Sequence, residues 1–188
     1  LSQPLSLEGM HDVYIPDDPP DRKPIPIVHV DDRIGTPYIE CDPGKIAAIV
    51  VTNIKDKVRP LAPIDDISRK ISQNLIDFLS NEVKQGRLPE NLLPLQSGVG
   101  SVANAVLGGL VESPFEDLSF YSEVIQDSVF DMIDAGKMKK VSGTSITPSE
   151  EGLKRFYENL DEYRKYIILR PQEISNNPEV ARRLGSIA

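Results

Sequence analysis

LSFYSEVIQDSVFDMIDAGKMKKVSGTSI, residues 118–146, decides how the chain is built. LSFYSEVI (118–125) reads as a strand, QDSVFDMIDAGKM as a helix, and KKVSGTSI (139–146) as a second strand. A strand, a helix and a strand in this compass form a unit whose two strands run parallel.

The alternation extends in both directions. DDISRKISQNLIDFLSNEVKQG (65–86) carries Ile67, Ile71, Leu75, Phe78, Leu79 and Val83 at helical spacing, after acids and before Gly86, which predicts a helix with that stripe in the core. LLPLQSG (92–98) reads as a short strand and VGSVANAVLGGLVES as a helix rich in small residues. PSEEGLKRFYENLDEYRKY (148–166) reads as a helix opened by the capping pattern of Thr147 and Glu150. IILRPQEIS (167–175) reads as a strand, and NPEVARRLGSIA begins a helix in which the chain is expected to stop. The class expected is α/β: an open, mostly parallel sheet flanked by helices, with ligands outside the C-terminal strand ends.

The first part is different. Ten of the 16 prolines precede residue 65, and YIPDDPPDRKPIPIVHV (14–30) reads as extended chain. KIAAIVVTNI (45–54) looks like a strand buried on both faces, with nothing nearby to bury it. The expected division is therefore 1–64 as the end of an upstream domain and a crossover, and 65–188 as the first part of the next.

With 188 residues, 39% hydrophobic and 27% charged, the composition is that of a soluble globular protein. A net charge of −8 excludes a broad nucleic-acid-binding face but not a local anionic ligand. No apolar run reaches the length of a membrane helix and no secretory leader is visible, so a cytoplasmic location is expected, or a mitochondrial one in a eukaryote. The single cysteine, Cys41, permits no internal disulfide and reads as incidental. His11 and His29 have no metal-site spacing.

Four strand ends carry QSGVG (96–100), SEVIQD (122–127), SGTS (142–145) and RPQEISNN (170–177). In a parallel sheet they share one rim, which gathers Gln96, Glu123, Gln172, Glu173 and Asn176. Glu123 reads either as a first-turn acid for the next helix or as a nucleophile, base or ligand. Gly98 and Gly100 around Val99 read either as a tight turn or as a place where a ligand reaches a free backbone N–H. SGTS reads as a helix cap, and RPQEISNN equally as a loop that ties strand ends together.

Taken in order, RIGTPY, DPGKIAAIV, NLLPLQSGVGSVANAVLGGL, YSEVIQDSVFDMIDAGK, SGTSITPSEEGLKRFYEN and RPQEISNNPEVARRLG closely resemble the acetyl-CoA hydrolase/transferase family, which includes succinyl-CoA:acetate and 4-hydroxybutyrate CoA-transferases. The resemblance covers essentially the whole chain and implies a central segment of a longer subunit, inactive alone. It implies that Glu123 attacks an acyl-CoA, passes through a mixed anhydride and holds CoA as a glutamyl thioester until a carboxylate or water takes the acyl exchange further. It implies the Val99 N–H as an oxyanion donor, Asn176 as the contact to the acyl group, and Gln96, Gly98 and Gly100 as substrate-binding neighbours. Lys57 or Arg59 is loosely matched to a basic residue facing the site. CoA is then a substrate, with no cofactor or metal beyond the transient thioester; the partners are acyl-CoA and small carboxylates, with neither nucleic acid nor membrane, and a homodimer is compatible. The alternatives are a sugar-phosphate isomerase-like enzyme using Glu123 as general base, and a structural or assembly module in which Glu123 caps a helix.

Overall fold

The structure is a computed structural model describing residues 7, 9–52, 54, 57–58 and 63–187. Three parallel strands, β1 (Leu118–Tyr121), β3 (Met138–Gly143) and β5 (Ile167–Leu169), form the central sheet in the order β1-β3-β5. Single parallel bridges widen it on both sides: Leu95 joins Phe120 and Ile187, and His11 joins Leu169. A smaller parallel pair, β2 (Val124–Ile125) with β4 (Ser145–Ile146), continues from the strand ends. The α/β class with a parallel sheet and flanking helices is thus observed.

The helices are α1 (Asp66–Lys84), α2 (Ser101–Val111), α3 (Asp127–Asp134), α4 (Glu150–Glu158), α5 (Leu160–Tyr163), α6 (Gln172–Ser175) and α7 (Pro178–Leu184). Strand alternation assigns the two faces of the sheet. Leu118, Phe120, Val141, Ile167 and Leu169 enter the large core with Val129, Phe130 and Phe156, where Phe130 stacks on Tyr163 at 4.9 Å between ring centroids. Tyr121 enters a second cluster with Ile25, Ile27, Val30, Ile174 and Val180, so the proline-rich segment covers the opposite face.

Several expected boundaries move, each for a local reason. The 118–125 and 139–146 strands each break in two, at Ser122–Glu123 and at Thr144. Gly143 permits the break, since a Cβ there would lie 2.8 Å from Ile125 Cγ1. The 92–98 strand reduces to the bridges at Leu95. The 148–166 helix divides at Asn159, and its cap is Ser149, whose Oγ accepts from the Gly152 N–H at 3.0 Å, not Thr147. The 167–175 strand ends at Leu169, because Pro171 starts the helical turn α6. The last helix does not run to the chain end: α7 stops at Gly185 (φ 70°), and Ile187 returns to the sheet beside Leu95.

Two expectations of burial are also corrected. On α1 the Ile67, Ile71, Leu75 and Phe78 stripe is exposed, Phe78 by 56%, while Ser68, Ser72, Ile76 and Leu79 are buried. The small face wins because α2 approaches closely: Ser72 Oγ donates to Ala105 O at 2.8 Å, and a Cβ on Gly109 would strike it at 2.5 Å. Residues 46–52 form no strand, only following a short 3-10 turn at Pro43–Lys45, and Val51 is 92% exposed. Among the described residues no strand pairs with this run, and its described side chains stay open.

Candidate active site

Glu123 sits at the step between β1 and β2, where the chain leaves the large sheet. Its backbone is fixed from the β3–β4 corner: the carbonyl accepts from Thr144 N at 2.8 Å and Ser145 N at 3.2 Å. The preceding residue, Ser122, is fully buried and exchanges hydrogen bonds with Ser97, giving Oγ to Ser97 O at 2.9 Å and receiving Ser97 N at 3.3 Å. That exchange places the glycine-flanked Val99 loop beside the glutamate's segment.

The side chain of Glu123 does not cap α3. That helix is capped at Gln126 without a side-chain hydrogen bond, and its first-turn acid, Asp127, instead receives Ser149 N at 2.7 Å and Ser149 Oγ at 2.6 Å. The Glu123 carboxylate turns to the 170s: Oε1 accepts from Gln172 Nε2 at 3.0 Å. Four residues on, Asn176 Oδ1 accepts from Gln96 Nε2 at 2.7 Å. The rim therefore brings Gln96, Ser97, Glu123, Gln172 and Asn176 into one hydrogen-bonded arc. Glu173 leaves it, bonding Arg22 on the surface at 2.7 Å.

The 170s turn is braced from beneath. Arg170, 2% exposed, has Nη1 3.1 Å from Asp12 Oδ2 and donates through Nη2 to the Val30 and Asp32 carbonyls. Burial draws this guanidinium below the ordinary arginine range, opposed by the facing Asp12 charge. Tyr121 donates its hydroxyl to Ile174 O, and burial pushes its pKa up to about 12. Arg170 is thus an anchor and not a member of the site, as the reading of RPQEISNN as a loop tying strand ends together expects.

Val99 is 72% exposed, and Gly100 (φ 154°) is the N-cap of α2 without a side-chain bond. Val99, Gly100, Val124, Thr144 and Ser145 line one wall of a cavity of about 750 Å³. Leu153, Phe156, Tyr157 and Leu169 make it largely apolar, with Asn104, Gln126, His11 and Lys57 as its polar lining. Asn104 Oδ1 and Thr144 Oγ1 are buried there without a hydrogen-bond partner among the described residues. Partial burial lowers the His11 pKa, favouring neutral imidazole. Lys57 therefore faces this cavity, while Arg59 lies outside the described residues. The sequence reading missed the Gln172–Glu123 contact and the cavity; the strand-end placement of RPQEISNN was its only signal. Among the described residues no three His, Cys, Asp or Glu side chains gather as a metal site, and no helix is long and apolar enough to cross a membrane.

No family model matches the chain. Individual proteins do. It is 59% identical to the succinyl-CoA:acetate CoA-transferase of Clostridium kluyveri over 187 residues, which is 100% of this chain and 35% of that protein. It is 50% identical over 183 residues to the acetyl-CoA hydrolase of Yarrowia lipolytica and 48% to that of Saccharomyces cerevisiae, again over 97% of this chain and 35% of each relative. The chain thus spans about a third of the length of the curated relatives it matches. Among solved structures, RipA from Yersinia pestis superposes with TM-score 0.59 at 23% identity, over 74% of this chain and 31% of that one. A 4-hydroxybutyrate CoA-transferase from Porphyromonas gingivalis does so with TM-score 0.50 at 24% identity, over 70% and 31%. These two likenesses show a shared fold.

Proposed function

We propose, for a chain that belongs along its whole length to the acetyl-CoA hydrolase and CoA-transferase family, that it supplies the acyl-carrying glutamate of an enzyme moving CoA between an acyl-CoA and a carboxylate. Glu123 is the nucleophile. It attacks the acyl carbonyl to give a mixed anhydride and CoA thiolate; the thiolate returns to the glutamyl carbonyl, releasing the first carboxylate and leaving a glutamyl-CoA thioester. An acceptor carboxylate reverses the sequence, and water in its place gives hydrolysis. Storage on one side chain lets donor and acceptor bind in turn, so the kinetics are ping-pong.

The observation that carries this reading is the orientation of Glu123: it turns away from the N-terminus of α3 and joins the arc with Gln172, beside the loop of Val99. The N–H of Val99, an exposed residue, is the donor for the substrate oxyanion. Gly98 and Gly100 keep its approach open, and Asn176, held by Gln96, meets the acyl group. CoA is a substrate here, with small carboxylates as the other partner, in a cytoplasmic, or in a eukaryote mitochondrial, homodimer. Residues 1–64 are then the end of one domain and its crossover, laid along the sheet of a second domain that begins at 65.

The test is Glu123→Gln in the full-length protein carrying this sequence. A nucleophile's loss abolishes acyl-CoA turnover with the fold intact; a change of stability alone, with turnover retained, would assign Glu123 a structural role.

A further inference from the structure

Two backbone rungs hold the Leu95 segment to β1: Leu95 N donates to Ser119 O at 2.8 Å, and Tyr121 N donates to Leu95 O at 2.9 Å. A parallel ladder repeats every two residues, so the next rungs would join Ser97 N to Tyr121 O and Glu123 N to Ser97 O. Neither forms among the described residues. The Ser122 hydroxyl takes both places, receiving Ser97 N at 3.3 Å and donating to Ser97 O at 2.9 Å. Ser122 is itself fixed: it is fully buried, and its N–H donates to Ser142 O on β3 at 3.0 Å. Among the described residues this hydroxyl is the sole hydrogen-bonded link between residues 97–100 and residues 122–125.

We infer that Ser122 is a positioning residue whose hydroxyl holds the Val99 loop in register with Glu123, an inference that rests on Glu123 being the acyl carrier and the Val99 N–H its oxyanion donor. The reaction sets two demands on this corner that a continued ladder cannot meet together. Glu123 leaves the sheet to reach the rim, where its carbonyl accepts from Thr144 N and Ser145 N. The loop that begins at Ser97 must nevertheless keep a fixed distance from the glutamate. A backbone rung from Glu123 N to Ser97 O would keep the glutamate in line with β1. A hydroxyl gives and takes a hydrogen bond at once, so the residue before the nucleophile keeps the loop attached while the backbone of Glu123 departs. Alanine offers neither bond and cysteine only weak ones. Ser97 is half-buried, so water can satisfy its backbone when the hydroxyl is removed, and the loss falls on loop position more than on stability.

The test uses the full-length protein with Ser122→Ala, and with Ser122→Thr as the variant that keeps the hydroxyl. Single-turnover mass spectrometry reads loading of the glutamyl-CoA thioester, equilibrium titration reads acyl-CoA binding, and amide exchange reads the loop. In Ser122→Ala, loading is expected to slow about 10–100-fold with binding unchanged, the scale of loss for a misplacement of about 1 Å. Exchange should quicken in residues 97–100 and stay as it was in β1 and β3. Ser122→Thr should restore both rate and exchange. Wild-type loading in Ser122→Ala, equal slowing in both variants, or faster exchange spread through β1 and β3 would each overturn the inference. Glu123→Gln is run beside them: if it still turns over acyl-CoA, the acyl-carrier reading fails, while exchange in 97–100 still decides whether Ser122 holds the loop.

Discussion

Arg170 Nη1 and Asp12 Oδ2 meet at 3.1 Å, and both side chains are buried, at 0% and 1% exposure. Asp12 Oδ1 also receives the N–H groups of Ile34 at 3.0 Å and Gly35 at 2.7 Å, so one carboxylate joins the backbone at 34–35 to the residue that follows β5. Removing one partner leaves an uncompensated buried charge, which costs about 3–5 kcal/mol. Asp12→Ala is therefore expected to lower the unfolding free energy by that amount, read as a lower midpoint in denaturant at unchanged slope. Because Arg170 directly precedes the turn carrying Gln172, it should also disorder the Glu123 contact, which amide exchange in residues 171–176 would register.

Alkaline pH should act through two tyrosines. Burial pushes Tyr121 and Tyr163 up to about 12, with the neighbouring Asp134 adding to the effect at Tyr163. Their folded pKa values lie above the unfolded value near 10, so their contribution to stability is fully present below about pH 10 and is lost as pH rises to about 12. Tyrosinate absorbance at 295 nm should show a late phase near pH 12 that is missing from the Tyr121→Phe, Tyr163→Phe double variant. A titration complete by pH 11 in the folded protein would contradict the burial described.

Gly143 should tolerate no side chain. An added Cβ would lie 2.8 Å and 2.9 Å from Ile125 Cγ1 and Cδ1, and Ile125 is fully buried. Gly143→Ala is expected to cost about 1–3 kcal/mol by overpacking. Shortening the neighbour with Ile125→Val removes one of the two clashing atoms, so the double variant should lose less than the sum of the singles in a denaturant double-mutant cycle.

The large features of this fold follow from side-chain periodicity. The parallel class, the α3 segment and the existence of α1, α2 and α7 were readable because each carries an apolar face or a clear start and stop. What was hidden depends on contacts between distant residues. The break after Ser122 leaves the alternating pattern of LSFYSEVI intact; it is set by Gly143 and by Ser97 across the sheet. The buried face of α1 was misread because close approach to α2 favours Ser68 and Ser72 over the larger Ile67 and Phe78. In the site, Glu123 stood out as an acid at a strand end. The strand-end pattern also placed Gln172 on the same rim, but its hydrogen bond to Glu123, 49 positions away, carries no local signature.

The central claim is that Glu123 carries CoA covalently. The most direct measurement is to incubate the full-length protein with acyl-CoA, quench with borohydride or hydroxylamine, and map the product by peptide mass spectrometry. The expected result is a reduced or hydroxamate-modified Glu123, formed only with acyl-CoA present. An enzyme that turns over while Glu123 stays unmodified would contradict the claim and point to base chemistry at this carboxylate.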